Sequence, residues 1–148
     1  MNAKELFGYW KDVRNGLYAA LDLLTDAQLD FKPREGLWTI RETVVHMAGT
    51  EDGWLRYYAA NRWHENIPQS EDYPTIASLK ALLAEMHNRT LAQFAEDADA
   101  LMAQVSPLPW GGQVSMGWAV WHVLEHEIHH RGEVFLMLGL MGIEAPDV

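Results

Sequence analysis

The sequence predicts an all-α protein, a four-helix bundle with long connections. Four stretches repeat apolar residues at spacings of three and four, which is the period of an amphipathic helix. Segments rich in proline and glycine separate these stretches, and no segment alternates apolar and polar residues long enough to predict a strand pair. We expect residues 1–148 to form one domain, large enough for a hydrophobic core.

The first helix is predicted over residues 3–24, where apolar side chains recur on one face. Residues 25–36 follow as a connection, because Pro33 and Gly36 interrupt the helical pattern. Two of the connections between the predicted helices are long, so simple up-down-up-down order is not assumed.

A capping box marks the start of the second helix. In Thr39-Ile-Arg-Glu42, the threonine hydroxyl can accept the backbone N–H of Glu42, and the glutamate carboxylate can bond back to Thr39. The apolar pattern then continues to about Arg62. Residues 63–74 contain two prolines and few periodic apolar positions, and they predict a loop.

The third helix is predicted from Thr75 to near Leu101. Residues 103–114, with two prolines and two glycines, interrupt the pattern again. Ser115 fits the N-cap of a fourth helix, which we expect to run to about Leu140 and to close at a nearby glycine.

Composition excludes several classes of function. The formal charge of −10 and the pI of about 5.0 disfavour a nucleic-acid partner, because binding to phosphates needs positive surface. The chain has no cysteine, so any thiol chemistry needs a thiol from outside. Neither a signal peptide nor an apolar span of membrane length is evident, and we expect a cytoplasmic protein with no membrane partner.

The fourth predicted helix concentrates the histidines. Four of the seven in the chain fall within residues 122–130. His122, His126 and His130 recur every fourth residue, which on a helix places them on one face about 5–6 Å apart. Imidazole is the commonest protein ligand for zinc, nickel and iron. The pattern therefore predicts part of a metal site.

A further ligand is expected from another helix, and His46 is the candidate. On the second predicted helix it shares a face with small and polar residues that are typical of a cavity wall: Thr39, Thr43, Thr50, Gly53 and Tyr57. Helical bundles build metal sites from side chains on facing helices.

Two protease-like motifs overlap in the histidine segment. His126-Glu127-Ile-His129-His130 matches HExxH, and His122-Val-Leu-Glu125-His126 matches the inverted form. The two motifs give His126 different roles, so at least one match is accidental. A zinc protease remains a remote alternative. A di-iron bundle is excluded, because it needs two ExxH motifs and Glu127-Ile-His-His130 is the only one.

Three separated features resemble the DinB/YfiT-like superfamily over essentially the whole chain. They are Trp38-Thr39 at a helix start, His46 about two turns later, and the terminal segment His126-Glu-Ile-His-His130-Arg-Gly-Glu133. The resemblance implies a four-helix bundle whose His46, His126 and His130 bind a divalent metal, usually zinc or nickel. It also implies either a thiol-dependent S-transferase or isomerase or a metal-dependent hydrolase, often a homodimer.

Other residues are expected around the site. His122 could be a fourth ligand, a proton shuttle or a pocket-lining residue, and Glu133 could orient a ligand imidazole. His129 is expected on a different face. The remaining pocket candidates lie on or near the two ligand-bearing helices: Thr50, Trp54, Tyr57 and Trp118.

Three imidazoles leave part of a metal's coordination sphere open, and open sites are more often catalytic than structural. Zinc, nickel and iron all suit such a ligand set. The open position could activate water for a hydrolase or an external thiol cosubstrate for a transferase, acting on a small molecule. A non-catalytic metal-binding protein of the stress response is the alternative.

Overall fold

Four long helices form a bundle in the computed structural model, which describes residues 2–148. The long helices are α1 (Ala3–Asp22), α2 (Ile40–Asp52), α3 (Ile76–Gln93) and α5 (Met116–Leu140). A short helix, α4 (Ala98–Ala103), lies between α3 and α5 in the chain. Helices α1 and α2 each pack against both α3 and α5, which places α1 and α2 across the bundle from each other. Within residues 2–148, no helix has the length and apolar character needed to cross a bilayer.

The predicted caps are confirmed. The Thr39 hydroxyl accepts the N–H of Glu42 at 3.1 Å, and the Glu42 carboxylate accepts the N–H of Thr39 at 2.7 Å. The Ser115 hydroxyl accepts the N–H of Trp118 at 3.0 Å and caps α5 without a reciprocal partner. After Leu140 the chain turns at Gly142, whose φ of +75° favours glycine, so α5 ends where the sequence predicts.

The second predicted helix does not stay α-helical as far as Arg62. After α2 the chain makes a π-helical turn, Gly53–Tyr57, and then a 3-10 turn, Tyr58–Ala60. A π-helical turn bonds residue i to i+5, so it holds more residues than an α-helical turn. The side chains beyond it therefore point differently from those of a continuous α-helix, a change that apolar spacing in the sequence does not reveal.

The predicted C-terminal end of the third helix is wrong, and the sequence did not predict one small sheet. Helix α3 stops at Gln93, and Asp97 begins α4 by accepting the N–H of Ala100. The break between them contains neither proline nor glycine, so nothing in the pattern marked it. Strands β1 (Val105–Pro107) and β2 (Gln113–Ser115) pair antiparallel across the following turn.

A layer of buried charged side chains divides the apolar core into two clusters. Helix α1 contributes Trp10 to one cluster and Leu17 to the other. The layer between them consists of Arg14, Glu51 and Glu127, which are 3 %, 0 % and 2 % exposed. Charged side chains are rarely buried this completely without partners, so their contacts decide whether the layer is tolerated.

Arg14 connects α1 to the three other long helices. Its Nε and Nη2 donate to the two carboxylate oxygens of Glu127 on α5 at 2.6 and 2.7 Å, and Nη2 also donates to Glu51 on α2 at 2.9 Å. Its Nη1 donates to the backbone carbonyl of Leu83 on α3 at 2.9 Å. One planar guanidinium thus fixes the relative positions of four helices.

Each carboxylate of the layer has a second partner. The Trp10 Nε1–H donates to Glu127 at 2.6 Å, and His87 Nδ1 lies 2.9 Å from Glu51. Burial acts to raise the pKa of Glu51, but the hydrogen bond with His87 and the charge of Arg14 outweigh it and hold that pKa below its ordinary value. Burial acts to lower the pKa of Arg14, yet the two carboxylates raise it above the usual value.

Arg14→Met is expected to lower the free energy of unfolding by about 3–5 kcal/mol, because it leaves two buried carboxylates without their cation. Urea unfolding followed by circular dichroism measures the change. Lys11→Met, at an exposed position of the same helix, is the matched control and should stay within about 0.5 kcal/mol of the wild type. Equal stability of the two variants would contradict a structural role for the layer.

Candidate metal centre

His46 on α2 and His126 and His130 on α5 converge between the two helices. The Nε2 atom of His126 lies 2.8 Å from Nε2 of His46 and 3.1 Å from Nε2 of His130. The ligand atoms of all three residues lie within 4.8 Å of one another. The structure therefore brings together the three residues that the sequence predicts as ligands.

The donor set fits a divalent metal. Zinc–nitrogen distances of about 2.0–2.1 Å at tetrahedral angles separate two imidazole nitrogens by about 3.3 Å, near the observed 2.8 and 3.1 Å. Without a cation, Nε2 of His126 holds either one proton or one lone pair, so it cannot form good hydrogen bonds to both neighbours. A cation would accept all three lone pairs.

Glu133 fixes the orientation of His130. Its Oε2 lies 2.6 Å from Nδ1 of His130, and a carboxylate can only accept, so Nδ1 carries the proton. The unprotonated Nε2 of His130 is then directed toward His126 and His46. Glu133 Oε1 also lies 3.1 Å from Nε2 of the exposed His129, whose ring centroid is 4.9 Å from that of His130. His129, His130 and Glu133 form a second, more exposed group of possible ligands.

The environment of the cluster favours the neutral form of His46 and His126. Burial, followed by the charges that His130 and the other neighbouring histidines carry when protonated, lowers the pKa of His126 to about 3. Burial and the charge of His130 also lower the pKa of His46. Neutral imidazoles are the form that binds metals, so these nitrogens are available to a cation near pH 7.

Trp38 covers one side of the cluster, a role that sequence reasoning missed. Its ring centroid lies 4.6 Å from that of His46 and 6.0 Å from that of His130, while the side chain is 48 % exposed. The residue directly precedes the capping Thr39, so the capping box that begins α2 also positions the indole. In the sequence, the signal for this role is the position of Trp38, next to the capping Thr39 and eight residues before His46.

A cleft of about 470 Å³ adjoins His46 along α2. Segment 67–70 forms its opposite wall, packed so closely on α2 that a Cβ added at Gly49 would lie 3.3 Å from Pro68. The predicted wall residues Thr50 and Trp54 line it. Tyr58 lines it in place of the predicted Tyr57, whose ring instead lies against His64, with centroids 4.5 Å apart. The π-helical turn just before Tyr58 accounts for this exchange of neighbours.

His122 and Trp118 lie one and two turns before His126 on α5. Their rings stack at 4.9 Å, and Trp54 meets the His122 ring edge-on at 4.7 Å. The His122 ring lies 6.4 Å from that of His126, and the three-histidine group found within residues 2–148 does not include it. Its position beside a surface groove with Trp118 agrees with pocket lining rather than ligation.

Glu127, the glutamate of the HExxH motif, does not face the histidines. Its carboxylate is bound inside the bundle to Arg14 and Trp10. It sits about 100° around the helix from His126, which turns it into the core. A zinc protease needs this residue as its general base, so the protease alternative is wrong for this structure.

The two remaining histidines lie beside carboxylates of the bundle, and of these two only His87 has a hydrogen bond to its neighbour. His87 bonds Glu51 in the buried charged layer. His64 is 9 % exposed, and its Nε2 lies 3.1 Å from Asp52. Neither partnership has a sequence signal, because both join residues distant along the chain.

The chain is similar to known proteins of one family. The DinB family model matches residues 1–148 of the chain. YfiT from Bacillus subtilis, named a "putative metal-dependent hydrolase", is 28 % identical over 148 aligned residues, covering 87 % of this chain and 82 % of that protein.

Solved structures share the fold. A DinB-like protein from Bacillus cereus superposes with a TM-score of 0.76 at 15 % identity, over 99 % of this chain and 97 % of that chain. YfiT from Bacillus subtilis, described as a "probable metal-dependent hydrolase with an unusual four-helix bundle topology", gives a TM-score of 0.67 at 23 % identity, over 92 % and 87 % of the two chains.

Lowering the pH from 7 to 5 is expected to destabilise the metal-free protein through His126. Its pKa is about 3 in the folded chain against an ordinary 6.5. Between these values the unfolded chain binds the extra proton, so stability rises with pH in that window. Because the ring is only partly buried, its share is roughly 1 kcal/mol after allowance for solvent screening. Urea unfolding with a chelator at both pH values measures it.

Two variants isolate this contribution. His126→Asn should show a smaller stability difference between the two pH values than the wild type. Leu140→Asn, at an exposed and non-titratable position of the same helix, should keep the wild-type difference. A full difference in His126→Asn would show that the acid sensitivity arises elsewhere.

Proposed function

The chain belongs to the DinB family, and on that premise we propose that it is a metal-dependent enzyme acting on a small molecule. The observation that carries the proposal is the convergence of three imidazole Nε2 atoms beside a cleft. The family relationship to YfiT, with its name as a metal-dependent hydrolase, supports hydrolysis as the reaction type.

His46, His126 and His130 would hold the metal, with zinc or nickel as the expected ion and iron also compatible with three imidazoles. When bound, the metal would supply Lewis acidity at its open positions, lowering the pKa of a water or thiol. Glu133 keeps His130 in the tautomer whose Nε2 lone pair faces the site. Trp38 shields one side of the cluster from bulk water.

Thiol S-transfer is a second candidate, and one observation favours it. Two cavities adjoin the cluster, one at His46 and one at His130, which would suit two reactants. The chain has no cysteine, so the thiol would be a low-molecular-weight cosubstrate. A non-catalytic metal-binding role would leave both cavities without a use.

Metal content tests the ligand set. His46→Ala is expected to reduce the bound metal of the purified protein from about one ion per chain to a small fraction, because two histidines of a single helix form an incomplete site. Elemental analysis measures it. Glu125→Ala, at an exposed position of the same helix and in neither candidate ligand group, is the control and should retain the wild-type content. Equal metal in wild type and His46→Ala would remove His46 from the site.

Turnover tests the enzyme proposal. The metal-loaded protein is assayed against a panel of esters, amides and electrophiles, each with and without low-molecular-weight thiols. We expect activity that falls at least about 100-fold in His130→Ala, with thiol dependence separating a transferase from a hydrolase. Normal metal loading with no turnover across the panel would favour the non-catalytic alternative.

A further inference from the structure

A second cavity, of about 400 Å³, opens against His130. It lies between the loop before α2 and the last turns of α5. Its apolar walls are formed by Pro33, Leu37, Trp38, Leu136 and Met137. The cavity is within the size range of small-molecule sites.

The walls of this cavity are apolar and uncovered. Leu37, Trp38 and Leu136 are 46 %, 48 % and 63 % exposed, and Met137 forms a buried floor at 3 %. Nothing within residues 2–148 covers the three exposed side chains. Single exposed apolar residues are ordinary, but several that line one concavity mark a binding site.

The polar groups around the cavity already have partners. The Thr43 hydroxyl donates to the Thr39 carbonyl at 2.9 Å and so presents its methyl group. The Glu133 oxygens bond His130 and His129. Within residues 2–148, no lysine or arginine lines the cavity. An anionic group would therefore find no counter-charge there and would meet the carboxylate of Glu133.

The cleft beside His46 is less uniformly apolar. Its lining includes Glu42, Thr50, His64, Gln69 and Ser70, although apolar atoms form most of its surface. The cleft contacts His46 and the second cavity contacts His130, two predicted ligands of the same cluster. The Trp38 ring lies beside both of these imidazoles. A substrate at the cluster would thus find a more apolar surface on the His130 side than on the His46 side.

We propose that the His130 cavity binds an alkyl or aryl group of an uncharged substrate whose reacting group lies at the three-histidine site. This inference rests on the proposed function, because the cluster defines where the reacting group lies. It adds the class of substrate: a molecule with an apolar part, and without a phosphate or carboxylate in that part.

Straight-chain hydroxamic acids are the probes. The hydroxamate chelates a divalent metal, while the acyl chain can be lengthened one methylene at a time from acetohydroxamic acid. Calorimetric titration of the zinc-loaded protein is expected to show about two- to fourfold tighter binding per added methylene until the cavity is filled, the upper value being that of a fully buried methylene.

Two matched variants locate the effect. Leu136 lines the cavity, whereas Leu140 lies one turn later on α5, is 56 % exposed and does not line it. Leu136→Asn should abolish most of the dependence on chain length and leave acetohydroxamic acid binding unchanged. Leu140→Asn should behave as the wild type. Because both side chains are exposed, neither change should impair folding.

The outcomes separate this inference from the proposed function. Failure of acetohydroxamic acid to bind the zinc-loaded protein would count against the metal site itself. The cavity is then tested without metal, by following the indole resonance of Trp38 during titration with 1-hexanol. A shift in the wild type that is absent in Leu136→Asn supports the cavity.

Two results would overturn the inference. One is a chain-length series with equal affinities, or one that Leu136→Asn leaves intact. The other is a dimer in sedimentation velocity that Leu136→Asn dissociates, since the apolar walls would then be covered by a second copy of the chain.

Discussion

The buried guanidinium of Arg14 is the constraint on which the rest of the molecule depends. It binds carboxylates from α2 and α5 and a backbone carbonyl from α3, so the helices cannot slide past one another without breaking a buried ion pair. Glu127 is the neighbour of His126 in the chain, and Glu51 follows His46 by five residues. The ion pairs that hold the core therefore also set the approach of the histidines.

Helix α5 serves two purposes because adjacent residues point in different directions. Each step along an α-helix turns by about 100°, so His126 faces α2 at the cluster while Glu127 enters the core. His130, one turn later, returns to the cluster, and Glu133 reaches back to its Nδ1. One helix thus supplies two imidazoles, the carboxylate that orients one of them, and the carboxylate that neutralises Arg14.

The sequence by itself determined the helices and most of the cluster. Periodic apolar residues are a local consequence of burying one helix face, and the Thr39–Glu42 box is a contact between residues three apart, so both can be read without coordinates. The spacing of His126 and His130 is local in the same sense. His46 was reached by family resemblance and by the polar character of its helix face, and the structure brings it to the pair.

The tertiary structure alone decided which charged residues are buried and which aromatic residues border the cluster. Arg14 and Glu127 are 113 residues apart, and Trp38 precedes His130 by more than ninety positions, so their contacts have no local pattern. The π-helical turn that brings Tyr58 to the cleft, and the break that ends α3 at Gln93, also lack such a signal. In each case packing against distant segments outweighs the local propensity of the chain. The free energy of that packing depends on residues far apart in the chain, so no short stretch of sequence reveals it.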